Sequence, residues 1–160
     1  MMAFYINTTL SKWVAVIAFI SACLTDFLDG YIARLMKQTS RFGQFLDPIA
    51  DKLLIAATLL LLAGFDRISQ LSFVPAILIL CREILVSGLR EYLGALHVEI
   101  PVSYLAKWKT LIQMVAIAML LVGEIYGISL TIPGEFLLWI AACLTLITGL
   151  DYFRTSLKYF

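Results

Sequence analysis

A chain of 160 residues that is 62% hydrophobic and 14% charged, with a mean hydropathy of +0.96, is too apolar for a soluble domain and has room for one compact helical membrane domain. The formal net charge of +1 identifies no partner by itself, and no nucleic-acid partner is expected.

In chain order, apolar runs cover roughly 11–28, 45–65, 70–93, 104–123 and 133–153. Each is long enough for a membrane-spanning helix, and lipid offers the backbone no other hydrogen-bond partner. The expected fold is therefore an all-α integral membrane protein, a polytopic bundle of about five transmembrane helices forming a single domain over 1–160. Polar or turn-rich segments separate the runs: "RLMKQTSRFG" at 34–43, "GFDRISQ" at 64–70, "GALHVEIP" at 94–101 and "GEIYGISLTIPG" at 123–134. Connections this short make successive spans antiparallel. Cys23, Cys81 and Cys143 stand singly in apolar runs without metal-ligand spacing and read as small packing residues. Trp13, Trp108 and Trp139 fall near span ends, where interfacial aromatic belts form. His97 sits in a connection with no companion ligand.

Orientation follows from the cations. Arg34, Lys37, Arg41, Arg90, Lys107, Lys109, Arg154 and Lys158 gather at one set of span ends, whereas Lys12 and Arg67 mark the other. The positive-inside rule puts the first set in the cytoplasm.

Four carboxylates break the apolar pattern at that end. Asp26 and Asp29 are three residues apart, and Asp47 and Asp51 four apart, so each pair shares a helix face. An ionised carboxylate inside a membrane costs roughly 3 kcal/mol at the bilayer centre, and clustering adds repulsion. Lys52 and Arg34 are too few to neutralise four anions, and converging carboxylate oxygens are hard ligands that suit Mg²⁺, Mn²⁺ or Ca²⁺. The competing reading is helix capping with salt bridges to Arg34, Arg41 and Lys52, and Asp47, just before Pro48, fits a cap on its own. Gly30 and Ala33 leave one helix face without bulk, and Arg34 adds a fixed charge suited to phosphate.

The pattern Asp26-x2-Asp29-Gly30-x2-Ala33-Arg34-x8-Gly43-x3-Asp47-x3-Asp51 resembles in full the signature of the CDP-alcohol phosphatidyltransferases. These are integral membrane enzymes that displace CMP from a CDP-linked lipid with an alcohol. Beyond the motif, "CREILVSGLREYLG", "AKWKTLIQM" and "GLDYF" are similar to the phosphatidylglycerophosphate synthase branch, so the likeness extends from about 11 to 158. It implies that Asp26, Asp29, Asp47 and Asp51 hold two divalent cations, Mg²⁺ or Mn²⁺, and that Asp51 is also the general base. It further implies that Gly30, Arg34 and Ser40 contact the CDP portion of CDP-diacylglycerol. Family members have six transmembrane helices, with a nucleotide-contacting stretch on the first, so the chain is expected to be truncated at its N-terminus relative to them. The resemblance also implies a homodimer in a bacterial-type inner membrane, with membrane lipid around it and the active site facing the cytoplasm.

An acceptor needs its own site. Arg82 and Arg90 lie about two turns apart on one span, and Lys107 and Lys109 open the next, a set able to hold a phosphate dianion. By resemblance, Arg82, Arg90 and Lys107 grip glycerol 3-phosphate. Against this, Arg90, Lys107 and Lys109 also fit membrane anchors, and Arg82 has Glu83 or an aspartate for an ion-pair partner. Another acceptor, inositol phosphate or serine, suits the same chemistry, and intramembrane carboxylates also mark divalent-cation transporters.

Overall fold

The computed structural model describes residues 8–36, 41–96, 98 and 104–159, and at 26–36, 41–48 and 51 it describes the backbone alone. Five long helices follow one another: α1 (Thr9–Met36), α2 (Arg41–Gly64), α3 (Phe73–Ala95), α4 (Tyr104–Val122) and α5 (Thr131–Ser156). Turns of 3-10 helix at Gln70–Ser72 and Leu157–Tyr159 prolong α3 and α5, and a ribbon of β1 (Glu124–Ile125) with β2 (Ile128–Ser129) joins α4 to α5. Together with their 3-10 turns, α3 and α5 are long and apolar enough to cross a membrane, as is α4. In α1 and α2 the apolar lengths within the fully described residues are shorter, Thr9–Thr25 and Lys52–Gly64. The chain is an all-α membrane protein.

The helices run past the apolar spans at several ends. The first, expected to close near 28, continues to Met36, and α2 starts at Arg41. A helix satisfies its backbone whatever the polarity of its side chains, so an apolar run marks the membrane-embedded part and not the helix end. Gly64 suggests a stop for α2, but the left-handed residue that ends it is Asp66 (φ 52°). Asp66 N–H donates to the Ala63 carbonyl at 3.3 Å and Arg67 N–H to the Leu62 carbonyl at 2.9 Å, the paired bonds of a Schellman ending. The segment 123–134 was expected to be a plain connection and instead contains the ribbon. Tyr126 (φ 53°) and Gly127 (φ 78°) both take positive φ, as a two-residue type I′ hairpin turn requires.

The core collects at the centre of the bundle. Val16 and Phe19 of α1, Leu59 and Leu62 of α2, Ile79 of α3, Ile117 and Leu120 of α4, and Leu138 and Ala141 of α5 are all buried together. The closest pairing is α4 with α5, followed by α3 with α5; α1 leans on α4 and α2 on α3. Large side chains such as Ile17, Leu53, Leu60, Ile84, Leu111 and Ile147 are exposed on the outer surface, where lipid is their solvent. Cys81 and Cys143 are exposed there too, and none of the three cysteines is in a disulfide, so two of the three are not the packing residues the sequence suggests. Their weakly polar side chains are at home against acyl chains. Hydroxyls on the helices turn back to the helix: Thr58 donates to the Leu54 carbonyl at 2.8 Å and Ser156 to the Tyr152 carbonyl at 2.7 Å.

One end of the bundle is tied by polar contacts. Lys12 donates to the Glu124 carbonyl, and the Glu135 carboxylate accepts from Ser69 N–H at 2.6 Å and Ser69 Oγ at 2.9 Å. These bonds gather the start of α1, the α2–α3 connection, the ribbon and the start of α5. The helices therefore alternate in direction, and the late half of α1, the early half of α2, the end of α3 and the start of α4 share the opposite end.

Gly134 lets α5 lie close against α4. A Cβ there would lie 3.0 Å from Leu120 Cγ and 3.3 Å from Met119 Cβ, whereas one at Gly94 would have nothing within 4 Å. Gly134→Val is expected to lower stability by about 1–3 kcal/mol through overpacking. Gly94→Ala should raise it by about 0.5–1 kcal/mol, because alanine loses less backbone freedom on folding. Thermal unfolding in detergent reads both.

Candidate active site

The helix α1 passes unbroken through Asp26, Asp29, Gly30 and Arg34, and α2 through Asp47 and Asp51. The side chains of these six, and Ser40 entirely, lie outside the described residues. The backbone still decides one question. Because α2 begins at Arg41, Asp47 stands six positions inside it and Pro48 is not its first residue. An N-cap must precede the helix, so the capping explanation of Asp47 fails. Two carboxylates four apart within one helix, and two others three apart within the helix before it, are a donor set that fits hard divalent cations. Among the residues with described side chains, no further group of three or more His, Cys, Asp or Glu gathers.

The basic residues divide into two kinds. Arg90 and Lys107 are exposed, with the Arg90 guanidinium 5.9 Å from the Tyr152 ring centre and the Lys107 amine 5.5 Å from that of Tyr104. Arg82 and Lys109 point inward. The Lys109 ammonium pairs with Glu83 Oε1, and Arg82 Nη1 lies 3.6 Å from the same oxygen. On its other side Arg82 Nη2 donates to Thr148 Oγ1 of α5 at 3.1 Å. One carboxylate oxygen on α3 thus serves a cation of its own helix and one of α4, and the arginine carries the link to α5.

The structure therefore joins Arg82 to Lys109 through Glu83, and seats Arg90 and Lys107 on tyrosines nearer the solvent. Glu83 as the shared partner of both cations, and Thr148 as a ligand of Arg82, are additions to the sequence reading. The signal for Glu83 was present, since an acidic residue inside a span needs a cation and Arg82 adjoins it. Nothing in the spacing singles out Thr148, whose role depends on how α5 is rotated.

A small cavity of about 40 Å³ lies where α2, α3 and α4 meet, lined by Lys52, Ile55, Glu83, Lys109, Thr110, Gln113 and Met114. Lys52 follows Asp51 directly. Lys52 of α2 and the buried ion pair of Glu83 and Lys109 thus line one cavity. Gln113 Oε1 is buried without a hydrogen-bond partner among the described residues, so that cavity holds a spare acceptor.

Comparison with known proteins agrees with the pattern of residues. The family model described as CDP-alcohol phosphatidyltransferase matches residues 1–147. A protein of Rickettsia felis named CDP-diacylglycerol–glycerol-3-phosphate 3-phosphatidyltransferase is 48% identical, over 99% of this chain and 87% of its own length. Proteins of the same name from Cereibacter sphaeroides and, with the number 2 appended, Arabidopsis thaliana are 41% and 39% identical, covering 99% and 94% of this chain and 88% and 70% of their own.

The shared oxygen gives a measurable consequence. Glu83→Gln removes the charge that balances a buried ammonium and is expected to cost roughly 3 kcal/mol of stability. Replacing the pair together, Glu83→Leu with Lys109→Leu, should recover the share of that loss due to Lys109, because two apolar side chains need no counter-charge, while the share due to Arg82 remains. A double-mutant cycle by thermal unfolding in detergent measures the coupling.

Proposed function

Because the chain belongs to the CDP-alcohol phosphatidyltransferase family, we propose that it transfers the phosphatidyl group of CDP-diacylglycerol to sn-glycerol 3-phosphate, giving phosphatidylglycerophosphate and CMP. The observation that supports this reading is the motif of Asp26 to Asp51 on α1 and α2 together with the inward-facing cations of α3 and α4, which meet α2 at the cavity lined by Lys52, Glu83 and Lys109.

The residues divide the work. Gly30 gives the CDP portion close access to α1, while Arg34 and Ser40 contact its phosphates. Arg82, with Arg90 and Lys107 at the same end, binds the phosphate of the acceptor and leaves its primary hydroxyl free. Asp51 takes the proton of that hydroxyl as its oxygen bonds to the lipid-linked phosphorus; the bond to CMP breaks, and CMP leaves with the electron pair. Asp26, Asp29, Asp47 and Asp51 would hold two divalent cations, Mg²⁺ or Mn²⁺, whose contribution when bound is to neutralise charge on the diphosphate oxygens. The positive-inside pattern supports an inner-membrane protein of bacterial type with this end in the cytoplasm, and the family likeness supports a homodimer.

Release of CMP from CDP-diacylglycerol and glycerol 3-phosphate tests the whole reading. Activity should vanish in excess chelator and return with Mg²⁺ or Mn²⁺, and Asp47→Asn should nearly abolish it. Substantial turnover in chelator would remove the cations from the reaction, and turnover with serine or inositol phosphate alone would reassign the acceptor.

Arg82→Gln addresses the acceptor site. Losing one charge-assisted bond worth roughly 1.5–3 kcal/mol should raise KM for glycerol 3-phosphate about tenfold to a hundredfold. The KM for CDP-diacylglycerol should stay near its original value.

A further inference from the structure

Arg82 does not simply extend from α3 toward the basic end; it lies across α5. A Cβ at Gly149 would sit 2.9 Å from Arg82 Cγ and 3.0 Å from its Nε, so the arginine stem occupies the space any other side chain would take. At the tip, Nη2 meets Thr148 Oγ1 at 3.1 Å. The Thr148 hydroxyl donates to the Leu144 carbonyl at 2.8 Å, which leaves its lone pairs to accept from the guanidinium. Adjacent residues of one helix thus seat both stem and head.

Among the described residues, little else fixes that head. Glu83 Oε1 is 3.6 Å from Nη1, beyond a proper hydrogen bond, and Nε is buried without a partner among the described residues. Beside the stem opens an apolar crevice of about 320 Å³ between α3 and α5, lined in part by Leu78, Leu85, Leu146 and Phe153. An arginine released from Thr148 has room to swing. A guanidinium has five N–H donors, and the known partners leave several for an anion of two or more oxygens.

We propose that Thr148 and Gly149 are positioning residues for the acceptor: they hold the Arg82 guanidinium in the direction from which it meets the acceptor phosphate, and so set the preference for a phosphate-bearing alcohol. This rests on the assignment of Arg82 to the acceptor given above. Neither residue touches substrate. Their effect passes through the arginine.

The test compares Thr148→Val, Thr148→Ser and Gly149→Ala with Arg82→Gln in the full chain, by CMP release with each substrate varied in turn. Valine is nearly isosteric with threonine but cannot accept a hydrogen bond, and serine can. Thr148→Val and Gly149→Ala should raise KM for glycerol 3-phosphate about tenfold, the loss of one charge-assisted bond, with KM for CDP-diacylglycerol and kcat within about twofold. Thr148→Ser should restore the original KM. Adding Thr148→Val to Arg82→Gln should have no further effect, since the residue acts through the arginine. If Arg82→Gln raises that KM and Thr148→Val does not, or if serine behaves like valine, the positioning role is overturned while the acceptor assignment stands. If Arg82→Gln itself leaves KM unchanged, the assignment falls and the proposal with it. Should Gly149→Ala fail to fold, the valine and serine pair at Thr148 decides the matter alone.

Discussion

Glu83 Oε1 is the point on which the interior of the bundle depends. Lipid cannot solvate Arg82 or Lys109, and a cation held at the bilayer centre costs roughly 2.5–3.5 kcal/mol even on insertion scales. One carboxylate offsets much of that for both, by pairing with Lys109 and standing beside Arg82. Once those distances are satisfied, the rotation of α3 about its axis is set, and so is that of α4. The bond from Arg82 to Thr148 extends the constraint to α5. Apolar packing alone lacks this power, because every face of these helices is acceptable to lipid.

The remaining contacts are consistent with that frame. The missing side chain at Gly134 lets α5 lie close against Met119 and Leu120 of α4, and hydroxyls that would be stranded in hydrocarbon bond to the carbonyl one turn back. The polar bonds at the ribbon end and the ion pair deeper in the bundle do different jobs: the first gather connections, and the second aligns faces. The motif helices α1 and α2 sit outside the tight grouping of α3, α4 and α5, with α1 against α4 and α2 against α3. The aspartates are thus carried on α1 and α2, and Arg82 on a helix packed directly against α5.

Much of the architecture was legible because hydropathy reports directly on lipid. The apolar runs correspond to five helices, and the signature at Asp26 to Asp51 is legible through residue identity and spacing alone. Helix ends were not, since backbone hydrogen bonding continues past the last apolar residue, as at Met36 and Arg41. The ribbon was missed because Tyr126-Gly127 is a less familiar type I′ pair than Asn-Gly, and its strands are only two residues long. Arg82 and Glu83 could be paired on paper as neighbours, but Lys109 and Thr148 could not be added to them. In a soluble helix the polar stripe would have revealed which face turned inward. In a helix apolar all round that information is absent, and tertiary contact has to supply it.

The ribbon between α4 and α5 also bears on how the protein reaches its membrane. Closed by Gly123 in a left-handed conformation and by the Leu130 N–H bond to the Gly123 carbonyl at 2.8 Å, it links the two helices by a compact, internally bonded corner. Two apolar helices joined by so short a corner form one helical hairpin, a unit suited to entering a bilayer together. By then α3 has already been synthesised, with Arg82 and Glu83 offsetting each other as neighbours. Lys109 and Thr148 stand on the two arms of the hairpin, so docking of that single unit against α3 brings both to the pair of Arg82 and Glu83.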